Sequence, residues 1–341
     1  MLRFIHTSDW QIGRTYKGMP EDLRGLLRDA RHEAVRNIGK RATELGINLV
    51  LVAGDVYDIE EPSDITLNKP VEIMRSFGGI HWHLIPGNHD SARSGGLWSR
   101  LLERGLPGNV HVHLTPEIAD LGDNAWLLPS PLPRRRTPTD LTEWMTGAQT
   151  PDSAFRIGIA HGGVVGFGGE GEIVDNLVPP NRPSISKLDY LAMGDWHTER
   201  RIGPRICYAG TPETDRWKSQ AGTSLSGGGS ILEVRIAAPG AEPEVESHTV
   251  GKYQWHSMSV RFLEEAHLGD FEARIAEMGD LSRVLLNLTV DGALPLHSLA
   301  EFKNVTCSRL AATLVHLELD DMELLPVPDL GDLDAIDKNG F

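Results

Sequence analysis

The stretch YLAMGDWH, residues 190–197, runs through apolar side chains, stops on Gly194, and then places a carboxylate and an imidazole two positions apart. Residues two apart in extended chain point to one side, so Asp195 and His197 can address the same cavity. Four other apolar runs finish on groups that bind hard metal ions: Asp9 and Gln11 in TSDWQIG, Asp55 and Asp58 in AGDVYD, Asn88, His89 and Asp90 in PGNHD, and His161 in IAHGG. Taken singly, an aspartate after a strand is a turn former or a helix N-cap, and PGN is a turn signal in its own right. Five such endings in succession point elsewhere, because sites in layered α/β proteins form where the carboxyl ends of strands converge. Asp9, Gln11, Asp55, Asn88, His161, Asp195 and His197 offer more oxygen and nitrogen donors than one ion needs, and suit two.

The rest of the chain supplies the layers. Strands are expected over 2–9, 47–55, 80–88, 110–114, 125–131, 155–161, 190–195, 206–211 and 230–236. Helical spacing covers 26–45, where Leu27, Ala30, Ala34, Val35, Ile38, Ala42 and Leu45 share a face and Gly46 supplies a stop, and recurs at 63–77 and 96–104. This alternation argues for α/β layers, with a sheet-on-sheet sandwich toward the strand-rich later half. The polar stretch AAPGAEPEVESHT (237–249) then separates a compact βαβαβ pattern. The expected organisation is a first domain at 1–250, a smaller α/β domain at 251–327 and a loosely ordered acidic tail at 328–341. The Gly- and Ser-rich segment 221–230 reads as a loop.

With 341 residues and 40% hydrophobic content the chain can bury a large core. No run of about 20 apolar residues occurs, and MLRFIHTSDW is too short and polar for a signal peptide, so a cytoplasmic protein without membrane contact is expected. Cys207 and Cys307 are the only cysteines and lack a CxxC partner, so a metal must be held by His, Asp, Asn or Gln. The net charge of −15 argues against nucleic acid until its distribution is considered. From residue 261 onward 16 acidic residues face 6 basic ones, a net of −10, which leaves −5 for the first 260 residues. A basic path for DNA on the first domain is therefore permitted.

Other histidines are read more plainly. The pairs His81/His83 and His111/His113 imitate strand-borne ligands, but they lie inside strands and read as packing or surface residues. His6 lies upstream of Asp9 and supports its loop from behind. Arg134, Arg135 and Arg136 form a solvated run or a phosphate-contact patch.

The order Asp9-x-Gln11, Gly54-Asp55-x-x-Asp58, Gly87-Asn88-His89-Asp90, His161 and Gly194-Asp195-Trp196-His197 resembles the five-block signature of calcineurin-like metallophosphoesterases. FIHTSDWQIG, AGDVYD and the small domain after residue 250 are most similar to the SbcD-type DNA repair exonucleases. The resemblance implies a four-layer α/β/β/α sandwich with a smaller α/β capping domain. It also implies roles: Asp9 and His197 on a first metal, Asp55 bridging two, Asn88 and His161 on the second, His89 near the scissile phosphate and Asp90 orienting it. Gln11 and Asp195 stand where the family usually has histidine, and both keep an oxygen donor. Oxygen donors favour Mn²⁺ or Mg²⁺ over Zn²⁺, so two Mn²⁺ ions are the expected cofactors.

Two ions about 3.5–4 Å apart would polarise a phosphoryl group and activate water, with His89 as general acid. Arg14, Lys17 and Arg134–Arg136 are the candidate phosphate contacts. The expected activity is two-metal hydrolysis of DNA in repair or end processing. The alternatives are a phosphodiesterase or phosphatase acting on a small nucleotide or phosphoprotein, and a non-catalytic DNA-binding scaffold with a degenerate metal site. The resemblance further implies a homodimer through 63–77 and 96–104, and an SMC-like ATPase partner. The chain shows no helical pair beyond the small domain, so that contact is either lacking or carried beyond Phe341.

Overall fold

The computed structural model describes residues 1–166, 175–217 and 228–328. The expected acidic tail beyond Pro328, and most of the expected 221–230 loop, lie outside the described residues. Contacts divide the chain into two compact units, one of residues 1–215 and 228–252, the other of 216–217 and 253–328.

In the larger unit β1 (Leu2–Thr7), α1 (Glu21–Glu44), β2 (Leu49–Ala53), α2 (Asp64–Arg75), β3 (His81–Ile85), α3 (Leu97–Arg104) and β4 (Val110–Val112) alternate. There follow β5 (Ala119–Gly122), β6 (Ala125–Ser130), β7 (Phe155–His161), α4 (Arg182–Ile185), β8 (Tyr190–Gly194), β9 (Arg200–Arg201), β10 (Ile206–Tyr208), β11 (Ser230–Ile236) and β12 (Glu244–Thr249). Two six-stranded sheets result, in the orders β12-β11-β1-β2-β3-β4 and β5-β6-β7-β8-β10-β9.

Side-chain alternation explains the layering. β2 sends Leu49, Leu51 and Ala53 toward the second sheet and Val50 and Val52 toward the helices, and all five are buried. Leu2 and Phe4 of β1 join Leu127, Ile157, Ile159 and Tyr190 in the core between the sheets. On the far side of the first sheet Ile5, Val50 and Trp82 pack against Val35 and Ile38 of α1 and Leu67 and Met74 of α2. The outer face of the second sheet carries a thinner cover, with Met145 from a 3₁₀ turn at Glu143–Thr146 and Leu188 beyond α4. The expected α/β/β/α sandwich is therefore present.

Two elements differ from expectation. α1 begins at Glu21 rather than 26, its first turn carrying Glu21 and Asp22, which favour a helix N-terminus, and a buried Leu23 that the polar neighbours obscure. The stretch 237–249 is not only a linker: its second half is the edge strand β12, paired antiparallel with β11 from Arg235↔Glu244 to Ser230↔Thr249. Half-exposed on both faces, it shows no apolar alternation, so the backbone pairing left no trace in composition.

The parallel register positions the site. Ala53 pairs with Ile85, and His161 with Gly194, so these strands end level and their loops emerge together. Backbone bonding continues past the strands, with Asp9 N–H donating to Gly54 O (3.0 Å), Gln11 N–H to Asp55 O (3.0 Å) and Ile12 N–H to Val56 O (2.9 Å).

The smaller unit has the order β13 (Gln254–Phe262), α5 (Ala266–Ala276), β14 (Val284–Pro295), α6 (Leu296–Glu301), α7 (Ser308–Thr313) and β15 (His316–Val327). Its three strands are parallel in the order β13-β14-β15. Phe262, Phe271 and Phe302 meet edge to face in its core, with centroids 5.3–6.2 Å apart.

Candidate metal centre

All seven expected ligands meet at the carboxyl ends of β1, β2, β3, β7 and β8. One donor atom from each of Asp9, Asp55 and His161 lies within 4.8 Å of the others. Asp55 Oδ1 is 3.4 Å from His161 Nε2, which is 3.6 Å from Asp195 Oδ1. Gln11 Nε2 donates to Asp55 Oδ2 (2.8 Å) and Asn88 Nδ2 to Asp195 Oδ1 (2.7 Å). His197 Nε2 lies 4.0 Å from Asp9 Oδ1, and the Asp195 N–H donates to both Asp9 oxygens at 3.2 Å.

The backbone is strained where these side chains are aimed. Asp9 (φ +52°), Gln11 (+52°), Asp55 (+53°) and Asp195 (+106°) all occupy the left-handed side of conformational space, a cost that persists where the surroundings enforce it and clusters at functional sites. Glycines make the room. A Cβ on Gly87 would sit 2.2 Å from Asp55 Oδ1, and one on Gly194 would sit 1.9 Å from Ala53 O and 2.8 Å from His161 Nδ1. Because Ala53 O is backbone and cannot swing aside, Gly194→Ala is expected to destabilise the protein by about 1–3 kcal/mol. A urea midpoint equal to that of the parent would contradict this.

The donor set fits divalent ions. Gln11 Oε1, Asn88 Oδ1 and His161 Nε2 are buried without a hydrogen-bond partner, whereas buried polar atoms are nearly always paired. His161 Nδ1 lies 2.8 Å from Ala53 O, which accepts its proton and leaves the Nε2 lone pair toward the carboxylates. Burial alone would lower the His161 pKa, but the charges of Asp55, Asp9 and Asp195 hold it up to about 9. Burial likewise raises Asp9 and Asp195 above the usual carboxylate range. A field that retains a proton so strongly is one that attracts a cation. Asp9, Asp55, Asn88, His161, Asp195, His197 and the Gln11 oxygen are the groups that would hold it.

Two supporting carboxylates and one correction stand out. Asp215, not anticipated, has a side chain only 1% exposed, with Oδ2 3.0 Å from His197 Nδ1, 3.0 Å from Arg14 and 3.2 Å from Arg31. Burial would raise the Asp215 carboxyl, yet the His197 bond and the positive charges around it hold it well below its ordinary value. It fixes the His197 ring so that Nε2 faces Asp9. The sole sequence signal was an acid four residues past Thr211, beyond the strand ending ICYAGT. Asp58 meets His89 Nδ1 at 3.2 Å. The expectation that Asp90 orients His89 is corrected: Asp90 accepts the backbone N–H groups of Gly87 (2.6 Å) and Tyr57 (3.1 Å), bracing the loop backbone instead.

The candidate phosphate contacts fare unevenly. Arg14 is drawn to Asp215. Lys17 is exposed, and its carbonyl accepts from Arg24. Arg134, Arg135 and Arg136 are exposed, with Arg136 paired to Asp175 at 2.9 Å, while Arg135 is near enough for its charge to act on His89. His6 does lie behind the site, its ring nitrogens 3.0 Å from Tyr190 Oη and 3.2 Å from Met193 O. A second acidic cluster, Glu233, Glu246 and His248, is already neutralised, since Glu233 binds Arg3 at 2.9 Å and Arg235 at 3.3 Å. A cavity of about 620 Å³ at the opposite ends of β7, β8 and β10 holds none of the metal donors.

The family model for calcineurin-like phosphoesterases matches residues 2–199, more than half of the chain. The chain belongs to the calcineurin-like phosphoesterase family. These are hydrolases of phosphoesters that use divalent metal ions, which accords with the donor set above. Among curated proteins, the chain is similar to the uncharacterized metallophosphoesterase YhaO of Bacillus subtilis, 26% identical over 227 residues, covering 62% of this chain and 53% of YhaO. It is also similar to the D component of the nuclease SbcCD of Rhodobacter capsulatus, 28% identical over 263 residues and covering 62% of each. The matched region thus spans little more than half the length of these relatives. Among solved structures, TT1561 of Thermus thermophilus aligns with a TM-score of 0.45 at 10% identity, covering 73% of this chain and 98% of the other. No helix among the described residues is long and apolar enough to cross a membrane.

Asp215→Asn is expected to weaken metal binding about 10- to 100-fold, the usual consequence of removing a ligand's orienting partner. Calorimetric titration with Mn²⁺ measures it, and unchanged affinity would show that Asp215 does not set the His197 ring.

Proposed function

We propose that this chain is a two-metal phosphodiesterase acting on DNA, a nuclease of the SbcD type, with Mn²⁺ as its preferred ion. The observation that carries the reading is the meeting of three buried atoms without a hydrogen-bond partner, on Gln11, Asn88 and His161, with the carboxylates of Asp9, Asp55 and Asp195. A decayed scaffold would be indifferent to the chemistry of its replaced ligands; here Asp195 keeps Oδ1 3.6 Å from His161 Nε2, and Gln11, joined to Asp55 through Nε2, keeps a buried Oε1 without a hydrogen-bond partner. Oxygen enrichment supports Mn²⁺ or Mg²⁺ over Zn²⁺.

Bound divalent ions would supply Lewis acidity at the phosphoryl oxygens and a water activated near neutral pH. The chain's own residues do the rest. The Asp58 carboxylate holds the His89 pKa above its ordinary value despite burial, so the imidazole is a proton carrier, its Nδ1 engaged and Nε2 left for the departing oxygen. Arg135 adds positive charge on that side. DNA as substrate, an SMC-like ATPase partner and a homodimer are supported by the likeness to proteins named as the D component of the nuclease SbcCD, and the smaller unit is read as a cap that selects strand ends.

The test is one assay of the full chain with Mn²⁺, comparing end-labelled DNA with a chromogenic phosphodiester. Cleavage of the labelled DNA is expected. Turnover of the small substrate alone would replace the nuclease by a small-molecule phosphodiesterase, and turnover of neither would favour the scaffold.

A further inference from the structure

On the face of β3 opposite Trp82 and Leu84, four imidazoles form a zigzag column across to β4 and the residue beyond it, in the order His81, His111, His83, His113. His83 and His111 are register partners on the parallel pair, with ring centroids 4.5 Å apart and planes 23° from parallel. His81 stacks on His111 at 5.7 Å and His83 on His113 at 5.3 Å. Nitrogens meet across the strands: His83 Nδ1 is 3.0 Å from His113 Nε2, and His81 Nδ1 is 3.4 Å from His111 Nε2. None of these side chains belongs to the carboxylate centre.

We propose that this column binds one borderline transition-metal ion, of the Zn²⁺, Ni²⁺ or Cu²⁺ class. Each His-x-His pair puts two imidazoles on one face of its strand, and adjacent strands bring the pairs side by side. Two nitrogens each about 2.0–2.1 Å from an ion, at angles between square and tetrahedral, lie about 2.9–3.4 Å apart, which is the spacing the cross-strand nitrogens already have. The ion needs a lone pair on both nitrogens, so the ring that donates the N–H carries that proton on its other nitrogen instead, and the ion lies beside the N···N line. Three nitrogens do not already converge among the described residues, so a third imidazole joins by turning about its terminal torsion, a soft motion.

Donor chemistry separates this column from the oxygen-rich centre. Imidazole nitrogen suits zinc, nickel and copper, whereas carboxylate and amide oxygens suit manganese and magnesium. Burial, with the neighbouring rings, keeps His83 down at about 2 and His113 at about 4, so both are neutral and keep a lone pair at neutral pH. Access is open at one end: His81 is exposed and lines a cavity of about 170 Å³ together with Asp123 and Arg3. The inference stands independently of the nuclease reading.

The test titrates Zn²⁺ alone into the 341-residue chain and into a His111→Gln, His113→Gln double variant, each combined with Asp55→Ala to remove binding at the carboxylate centre. One Zn²⁺ per chain is expected in the Asp55→Ala protein, weakened at least 100-fold by the double substitution, with nickel absorption spectroscopy showing imidazole scattering only in the former. Equal zinc affinity in both proteins, or bound nickel without imidazole scattering, would overturn the site. If the double variant fails to fold by circular dichroism, His81→Gln with His111→Gln, which changes the more exposed pair, carries the same comparison.

Discussion

His89→Ala is expected to keep its full complement of metal and to lose about 10²- to 10⁴-fold in turnover, the range supplied by a positioned general acid. The two halves of this expectation come from different atoms of one residue. The His89 backbone N–H donates to Asp55 Oδ1 at 2.9 Å, and an alanine keeps that bond, so the carboxylate stays where it is. The His89 ring instead reaches Asp58 at 3.2 Å and is about one third exposed, unlike the deeply buried His161. Removing the ring therefore takes away a proton carrier and not a ligand. Turnover with a phosphodiester, set beside elemental analysis of the dialysed variant, reads both quantities. A variant that has lost its metal would make His89 a ligand, and one with parental turnover would remove it from the chemistry. Because Asp58 is the group that keeps the imidazole basic, Asp58→Asn should reproduce part of the loss with metal content again intact.

The site was more legible in the sequence than the means by which it is held. Five strand endings carried the clustered donors because level ends of parallel strands force successive loops together, and a chain-order pattern of Asp, Asn and His survives that geometry intact. Asp215 was not legible. It belongs to no strand ending, and its role depends on Arg14 and Arg31 arriving from the β1 loop and from α1, some 180 to 200 residues earlier in the chain. The Arg14 contact was hidden for the same reason: near a metal loop an arginine suggests phosphate, and only the fold reveals the buried Asp215 carboxylate that it meets. The orienting role of Asp90 came from the family resemblance alone, while the tight PGNHD turn directs its side chain back onto its own backbone and onto Tyr57. β12 escaped because edge strands can be held by backbone bonds alone, without the apolar alternation that marks a strand buried on one face. The histidine pairs of β3 and of β4 with the residue beyond it were seen, yet their interlocking required the register between strands, which no single segment encodes.

Asp55→Ala is expected to empty the centre of both ions and to bring turnover to background. Asp55 is the common neighbour of the cluster: Oδ2 accepts from Gln11 Nε2 at 2.8 Å, while Oδ1 accepts from His89 N–H at 2.9 Å and lies 3.4 Å from His161 Nε2. Among the described residues no other side chain touches donors from the loops after β1, β3 and β7 at once, so none can replace it. The substitution also leaves Gln11 Nε2 and the His89 N–H without their acceptor, at about 1–3 kcal/mol for a buried unsatisfied group. Loss of activity alone could then reflect partial unfolding, and a readout independent of turnover is needed. Ligand linkage supplies it, since an ion binding only the folded state adds about 2.7 kcal/mol of stability at 100 times its Kd. Manganese should therefore raise the melting temperature of the parent and leave that of Asp55→Ala unmoved. Asp55→Asn separates the two effects, because it keeps the shape and an accepting oxygen while giving up the charge. It should lose the manganese-dependent shift as Asp55→Ala does, yet unfold closer to the metal-free parent. A manganese-dependent rise in either variant equal to that of the parent would mean that the cluster binds its ions without Asp55, and the bridging assignment would fail.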